Sequence, residues 1–176
     1  MRDSNKQDAV IRWASDSDVP NLAQVHIDSY RSAYVNIMPA LYLEGMTLEQ
    51  QLKRYEALLS EGKEHVAVMS VDERMIGYLV LEHCTDDVAQ HRHGGEIHSI
   101  YLLQEYCGRG YGRMLLDWGI RQLGEMGWTH AIVWVLKDNR SARGFYEHAG
   151  FILSGRERLI QRGAELVQVS YQRTIS

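Results

Sequence analysis

The sequence predicts an α/β fold, and three features carry that expectation. An apolar run over Ile97–Leu103 reads as a strand, then a polar turn leads to glycines at alternate positions, Gly108, Gly110 and Gly112, and into a helical pattern. His65–Val71 and Met75–His83 bracket the charged Asp72-Glu73-Arg74 as a β-hairpin. Toward the C-terminus, the β-branched and aromatic Ala131–Leu136 reads as a buried strand. A short helix from Asn139 to Gly150 follows, then strand segments at Phe151–Ser154, Glu157–Gln161 and Ala164–Gln172 around a turn at Arg162-Gly163. Strands interleaved with helices in this way stack as layers around one core.

The remaining elements follow from local chemistry. Residues 1–8 are polar and read as a disordered tail, leaving 9–176 as a single domain. Ala9–Ala14 is a short strand. Asp18 is placed to cap a helix with Pro20 in its first turn and Leu22, Val25, His26 and Ser29 on one face. Ser29–Ala40 is aromatic and irregular, and Pro39 opens a second helical segment, roughly Ala40–Ser60. Thr85–Gly95 is a polar loop. In the long helix after the glycines, Gly112, Leu116, Gly119, Ile120 and Leu123 share a face.

Composition bounds the function. The chain has 176 residues, enough for one full core, with 45% hydrophobic and 24% charged residues, as in ordinary soluble domains. A net charge of −4 lacks the footprint of a nucleic-acid binder. Neither a signal-peptide core nor a run of membrane-spanning length is present, and two cysteines make no disulfide framework. The expectation is a cytoplasmic protein with neither nucleic-acid nor membrane partners.

A strand, a glycine-rich turn and a helix N-terminus form an anion cradle. The first-turn N–H groups point outward, the helix dipole adds partial positive charge, and glycine lets the backbone approach a phosphate. A pyrophosphate is the expected guest. The spacing G-x-G-x-G fits neither the dinucleotide fingerprint nor the Walker pattern, which needs Gly-Lys-Ser/Thr.

Cys107-Gly-Arg-Gly110-Tyr-Gly112 resembles motif A of the GNAT superfamily, the acetyl-CoA-dependent N-acetyltransferases, whose usual pattern is Arg/Gln-x-x-Gly-x-Gly/Ala. Asn139-Arg-Ser-Ala-Arg-Gly-Phe-Tyr146-Glu-His-Ala-Gly-Phe151 is similar to the family's motif B, and Ile11-Arg-Trp-Ala14 with Asp18 to its opening strand and helix. The likeness runs from about residue 10 to the C-terminus. It departs at Cys107, where the family usually has Arg or Gln. The resemblance implies a mixed, mostly antiparallel sheet of about six or seven strands, splayed at its central strands, with helices on both faces. It also implies acetyl-CoA as co-substrate, no metal, and direct transfer of acetyl to an amine acceptor without a covalent enzyme intermediate.

By the same resemblance, the main chain of Ile100, Tyr101 and Leu102 pairs with the pantetheine arm. Gly108, Arg109, Gly110, Tyr111, Gly112 and Arg113 form the pyrophosphate cradle, and Asn139 touches pantetheine as well as serving as an N-cap. Arg109 and Arg113 either reach CoA phosphates or sit in water as surface arginines. Glu96 is fourteen residues before Gly110, where histone-acetylating relatives carry a catalytic Glu. It is the leading base, or else a solvated strand-end glutamate. His98, two residues on, is the second candidate, since its ordinary pKa suits base work. Trp134 occupies another family position for a base and closes that route. Tyr146 is the family's thiolate acid, or a core aromatic beside Phe145. Tyr30, Tyr34, Tyr42 and His26 either wall the acceptor site or pack in the core. Aromatics in Ser29–Tyr42 would also suit a homodimer.

Two further readings stay open: a non-catalytic acyl-CoA-binding module, and an enzyme using a different acyl-CoA. Cys107 is assigned no role. The histidines and cysteine around His83–His98 match no standard zinc spacing.

Overall fold

A computed structural model describes residues 8–83 and 94–176. Residues 1–7 of the expected tail and most of the Thr85–Gly95 loop lie outside those residues. Seven strands form one sheet in the order β1-β2-β3-β4-β5-β7-β6. They are β1 (Ala9–Trp13), β2 (His65–Val71), β3 (Arg74–His83), β4 (Gly94–Leu102), β5 (His130–Leu136), β6 (Ile152–Gln161) and β7 (Glu165–Thr174). Every neighbouring pair is antiparallel except β4 and β5. Helices α1 (Val19–Tyr34), α2 (Ala40–Glu44) and α3 (Leu48–Glu61) precede β2, α4 (Tyr111–Glu125) follows β4, and α5 (Arg140–His148) follows β5. The β2–β3 hairpin turns on Asp72 and Glu73, both left-handed at φ 48° and 65°, as its tight connection requires.

The expected helix over Ala40–Ser60 is two helices. Gly45 ends α2, and Thr47 starts α3 with a capping box: Thr47 Oγ1 accepts from the Gln50 N–H (3.3 Å), and Gln50 Oε1 accepts from the Thr47 N–H (3.2 Å). Asp18 precedes α1 without capping it. Its carboxylate instead accepts two bonds from Arg12 (2.7 and 2.8 Å) and one from the Ser15 N–H (2.8 Å), tying β1 to the helix.

The sheet is covered on both faces, which explains why β3 is a nearly continuous apolar run. On one face, Leu115, Leu116 and Leu123 of α4 and Tyr146 of α5 pack on Met69, Leu79, Leu81, Ile97 and Val133. On the other, Leu22, Ala23 and Val25 of α1 and Tyr55 of α3 pack on Val66, Val68, Tyr78 and Val80. A third cluster seats Met38 and Leu43, with Tyr30, Tyr34 and Tyr42, on Leu136, Ile160 and Leu166, so the even-numbered residues of β5 face α1 and α2. Among the described residues no helix is long and apolar enough to cross a membrane.

His26 sits inside the second cluster, 3% exposed, with Nδ1 2.8 Å from both the Tyr55 and the Tyr78 hydroxyls. Burial, with the nearby charge of Arg54, pushes its pKa down to about 3. The unfolded chain therefore binds a proton near pH 6.5 that the folded chain refuses. The stability this neutral histidine confers is intact above pH 6.5 and is lost as pH falls toward 3, with a limiting slope of roughly 1.4 kcal/mol per pH unit. Urea unfolding at pH 7.0, 5.5 and 4.5 should show this decline, and His26→Gln should flatten it; parallel slopes in the two proteins would refute the assignment.

Gly77 of β3 opposes Leu102, and a Cβ built there lies 2.5 Å from the Tyr101 carbonyl oxygen. Alanine normally gains roughly 0.5–1 kcal/mol over glycine in a strand. Here the backbone clash reverses the sign. Gly77→Ala should cost about 1–3 kcal/mol in urea unfolding, and a neutral or stabilised variant would contradict the packing.

Candidate active site

The two central strands pair only briefly. Gly94, Gly95 and Glu96 of β4 lie opposite His130, Ala131 and Ile132 of β5. Beyond this point β4 stays with β3 as far as Leu102, while β5 stays with β7 as far as Leu136. The edge of β4 carrying Ile100, Tyr101 and Leu102 therefore faces a gap rather than a ladder. A β-bulge sits beside it. Val80 opposes Ser99 and Leu81 opposes Ile97, so His98 is the extra residue.

The glycine turn closes the gap at its far end. Gly108 and Gly110 are left-handed at φ 73° and 86°, and a Cβ at Gly108 would meet nothing within 4 Å. The first helical bond of α4 runs from the Met114 N–H to the Gly110 carbonyl at 3.2 Å, and no side chain caps this end. The amides of Gly112 and Arg113 thus come before the first helical donor, Met114, and have no carbonyl of the helix to bond. Gly112 keeps α4 close to Phe145 and Leu102, whose nearest atoms are 3.5 and 3.6 Å from a Cβ built there. Tyr111 turns its ring into the core, which leaves its backbone to the turn. Arg109 lies over the Tyr106 ring at 5.8 Å, and Arg113 grips both carboxylate oxygens of Asp117 at 2.9 Å. Cys107 bonds the Leu103 carbonyl through its thiol at 3.6 Å, and burial followed by the charge of Glu105 pushes that thiol's pKa up. An unpaired strand edge leading to a helix N-terminus suits an extended, amide-bearing chain with an anionic end.

Glu96 is 4% exposed, on the α1/α3 face of β4, opposite Glu82 of β3. His98 reaches both acids: Nδ1 is 2.8 Å from Glu82 Oε1 and 3.7 Å from Glu96 Oε1. Despite the bulge, His98 shares the face of Glu96, as the sequence suggested for a regular pleat. Hydrogen bonding to Glu82, then to Glu96, overcomes burial and pushes the imidazole up to about 9, so it is a cation at neutral pH. Glu64, just before β2, senses the same cluster; burial, then the charge of Glu82, raises its carboxyl.

Tyr146 packs between Phe145 and Phe151, with ring centroids 5.3 and 5.6 Å away. Burial, and then the nearby Tyr34, holds its phenol well above the usual range. Asn139 caps α5 by accepting from the Ala142 N–H at 3.1 Å. Of the aromatics read as wall or core, His26 is core, while the Tyr34 hydroxyl lies 2.7 Å from that of Tyr101 at the gap.

The sequence did not single out Glu82, Glu64 or the two arginines beside Trp134, Arg156 at 5.2 Å and Arg158 at 4.3 Å from its ring. Glu82 carries a weak signal, an acid ending an apolar strand. The pairing that brings it to Glu96 is set by the register of β3 against β4 and has no local signature.

The profile of the acetyltransferase (GNAT) family matches residues 27–151. An uncharacterized N-acetyltransferase of Bacillus subtilis, YuaI, is 29% identical over 133 residues, 74% of this chain and 73% of its own length. One of Archaeoglobus fulgidus is 28% identical over 137 residues, 77% of this chain and 88% of its own. Among solved structures, the PaiA N-acetyltransferase of Thermoplasma acidophilum, in complex with coenzyme A, superposes with a TM-score of 0.72 at 20% identity, covering 95% of this chain and 99% of that one. A GCN5-related N-acetyltransferase of Rhodopseudomonas palustris gives a TM-score of 0.76 at 16% identity, covering 96% and 98%. These structural likenesses bear on the fold. With the matching profile over most of its length, the chain belongs to the acetyltransferase (GNAT) family.

Proposed function

We propose that the protein transfers the acetyl group of acetyl-CoA directly to a primary amine, with Glu96 as base and Tyr146 as acid. The carrying observation is the placement of a buried carboxylate, Glu96, at the point where β4 and β5 part, beside the unpaired edge of Ile100–Leu102 and in line with the glycine turn. Pantetheine amides would pair with that edge as an added strand, and the pyrophosphate would rest on the amides at the start of α4. A β4 N–H would stabilise the oxyanion.

The step balances simply. A lysine-like ammonium, with a pKa near ~10.4, must first shed a proton, which Glu96 accepts directly or through water. The amine nitrogen then bonds to the thioester carbonyl carbon, the carbon–sulfur bond breaks and the thiolate takes the Tyr146 proton; the second nitrogen proton, lost as the amide forms, returns through water to the tyrosinate. The choice of Glu96 over His98 rests on charge: an imidazole held as a cation by two carboxylates has no free lone pair for the amine proton at neutral pH. Tyr146 is suited to acid work because burial keeps its phenol protonated.

A CoA-release assay with acetyl-CoA and a panel of amines tests the reading. Acceptor-dependent thiol release is expected. Glu96→Gln and Tyr146→Phe should each lower turnover on the order of 10²-fold at saturating acetyl-CoA. Unchanged turnover in either variant removes that residue from the mechanism. Tight acetyl-CoA binding without release to any amine would point to a binding module instead.

A further inference from the structure

The acceptor side of the gap carries opposite charges on its two walls. On the β3–β4 wall stand Glu82 and Glu96, with Glu64 beside them. On the other wall, Ile132, Trp134 and Leu136 alternate onto the face of β5 that looks toward α1 and α2. Ile132 is the residue opposite Glu96, so Trp134 lies two residues, roughly 7 Å, further along the diverging strand.

Two guanidinium groups reach Trp134 from β6, across β7. Arg158 lies over its ring at 4.3 Å and Arg156 at 5.2 Å. Such stacking fixes a guanidinium's plane while leaving its in-plane N–H groups to a further acceptor. Arg158 is held further by its Nε, which donates to Gln168 Oε1 at 2.8 Å, a neutral partner. Among the described residues it has no carboxylate partner. Glu157, between the two arginines in sequence, belongs to the other face and pairs with Lys137 at 2.8 Å. Arg162, in the β6–β7 turn, adds positive charge beside Tyr30.

We propose that the acceptor is an amine that also carries a carboxylate, and that Arg158, supported by Arg156 on Trp134, binds that carboxylate while the amine faces Glu96. An anion on the arginine wall would gain a charge-assisted, planar contact. The same group near Glu82 and Glu96 would be repelled, so the charge pattern also sets the orientation of the substrate. Arg158 is a specificity residue and takes no part in the chemical step. This inference rests on the acetyl-transfer reading above.

The test uses the full chain with acetyl-CoA and matched acceptors: amino acids such as lysine and phenylalanine, their amides, and their decarboxylated amines. Phosphoethanolamine against ethanolamine distinguishes a phosphate from a carboxylate. Carboxylated acceptors should be preferred at least 10-fold in kcat/KM over their amides. Arg158→Gln and Arg156→Gln should reduce that preference roughly 10- to 100-fold, through KM, the size of a lost charge-assisted bond. Arg158→Lys should restore part of it. Equal use of amides, a preference unchanged in both Gln variants, or a preference for the phosphate alone would overturn the proposal. So would acetyl-CoA binding with acetylation of no carboxylated acceptor, an outcome that leaves transfer to other amines standing. Failure to bind acetyl-CoA would defeat the acetyl-transfer reading itself.

Discussion

The molecule depends on two central strands that agree to pair for three residues and then separate. An unpaired edge in the middle of a sheet is unusual, since each backbone group left unpaired away from water costs about 1–3 kcal/mol, and Ile100, Tyr101 and Leu102 stay part-exposed. The separation holds because each strand is secured on its other side. β4 is laddered to β3 from Gly95 to Leu102, and β5 to β7 from His130 to Leu136. On one face a single cluster under α4 and α5 bridges the split; on the other, α1 packs on β3 through Leu22 and Val25 and on Leu136 of β5 through Tyr30 and Tyr34. The unpaired edge is thereby held open by packing rather than by its own sequence. What it lacks is a strand's worth of amides, which an extended ligand can supply.

The bulge at His98 is the second feature of that region. Two acids opposite each other on adjacent strands, as Glu82 and Glu96 are, repel one another. The extra residue in β4 brings an imidazole between them, and its positive charge makes the arrangement tenable. The linkage runs both ways. The acids hold the proton on His98 up to about pH 9, so the contribution of this cluster to stability is complete below about 6.5 and fades as pH rises through 9. His26 follows the opposite rule on the same side of the sheet, buried without an acid and therefore neutral. Two histidines of one type are thus set to opposite charge states by their neighbours alone.

How much of this was legible depends on how local each cause is. The strand, glycine turn and helix from Ile97 to Leu123 are decided by neighbours in sequence, and they stand where the residue pattern put them. Thr47-Leu-Glu-Gln50 was equally legible as a capping box, yet an apolar count across Ala40–Ser60 hid the break it makes. Asp18 shows the reverse: a residue typed as a helix cap was taken by Arg12, six positions earlier. The partners of His26 lie 29 and 52 residues away, and those of Trp134 come from a strand two places over in a sheet whose last two strands exchange order. Register and strand order cannot be read from a segment, because they are settled only when the whole sheet forms.

That division runs through the site itself. The half that would hold the donor is a contiguous stretch of chain: one strand, one turn and the first turn of one helix. The half that would hold the acceptor is assembled from α1, β3, β4, β5 and the β6–β7 hairpin, elements spread over the whole sequence. A donor site of that kind can keep one short pattern through wide divergence, since its backbone geometry needs glycines and little else. The acceptor side changes whenever any one contributor changes a side chain. A family resemblance carried by the glycine turn therefore speaks to acetyl transfer and is silent on the acceptor. The acceptor has to be argued from charges that only the folded chain brings together, Glu96 on one wall and Arg158 on the other.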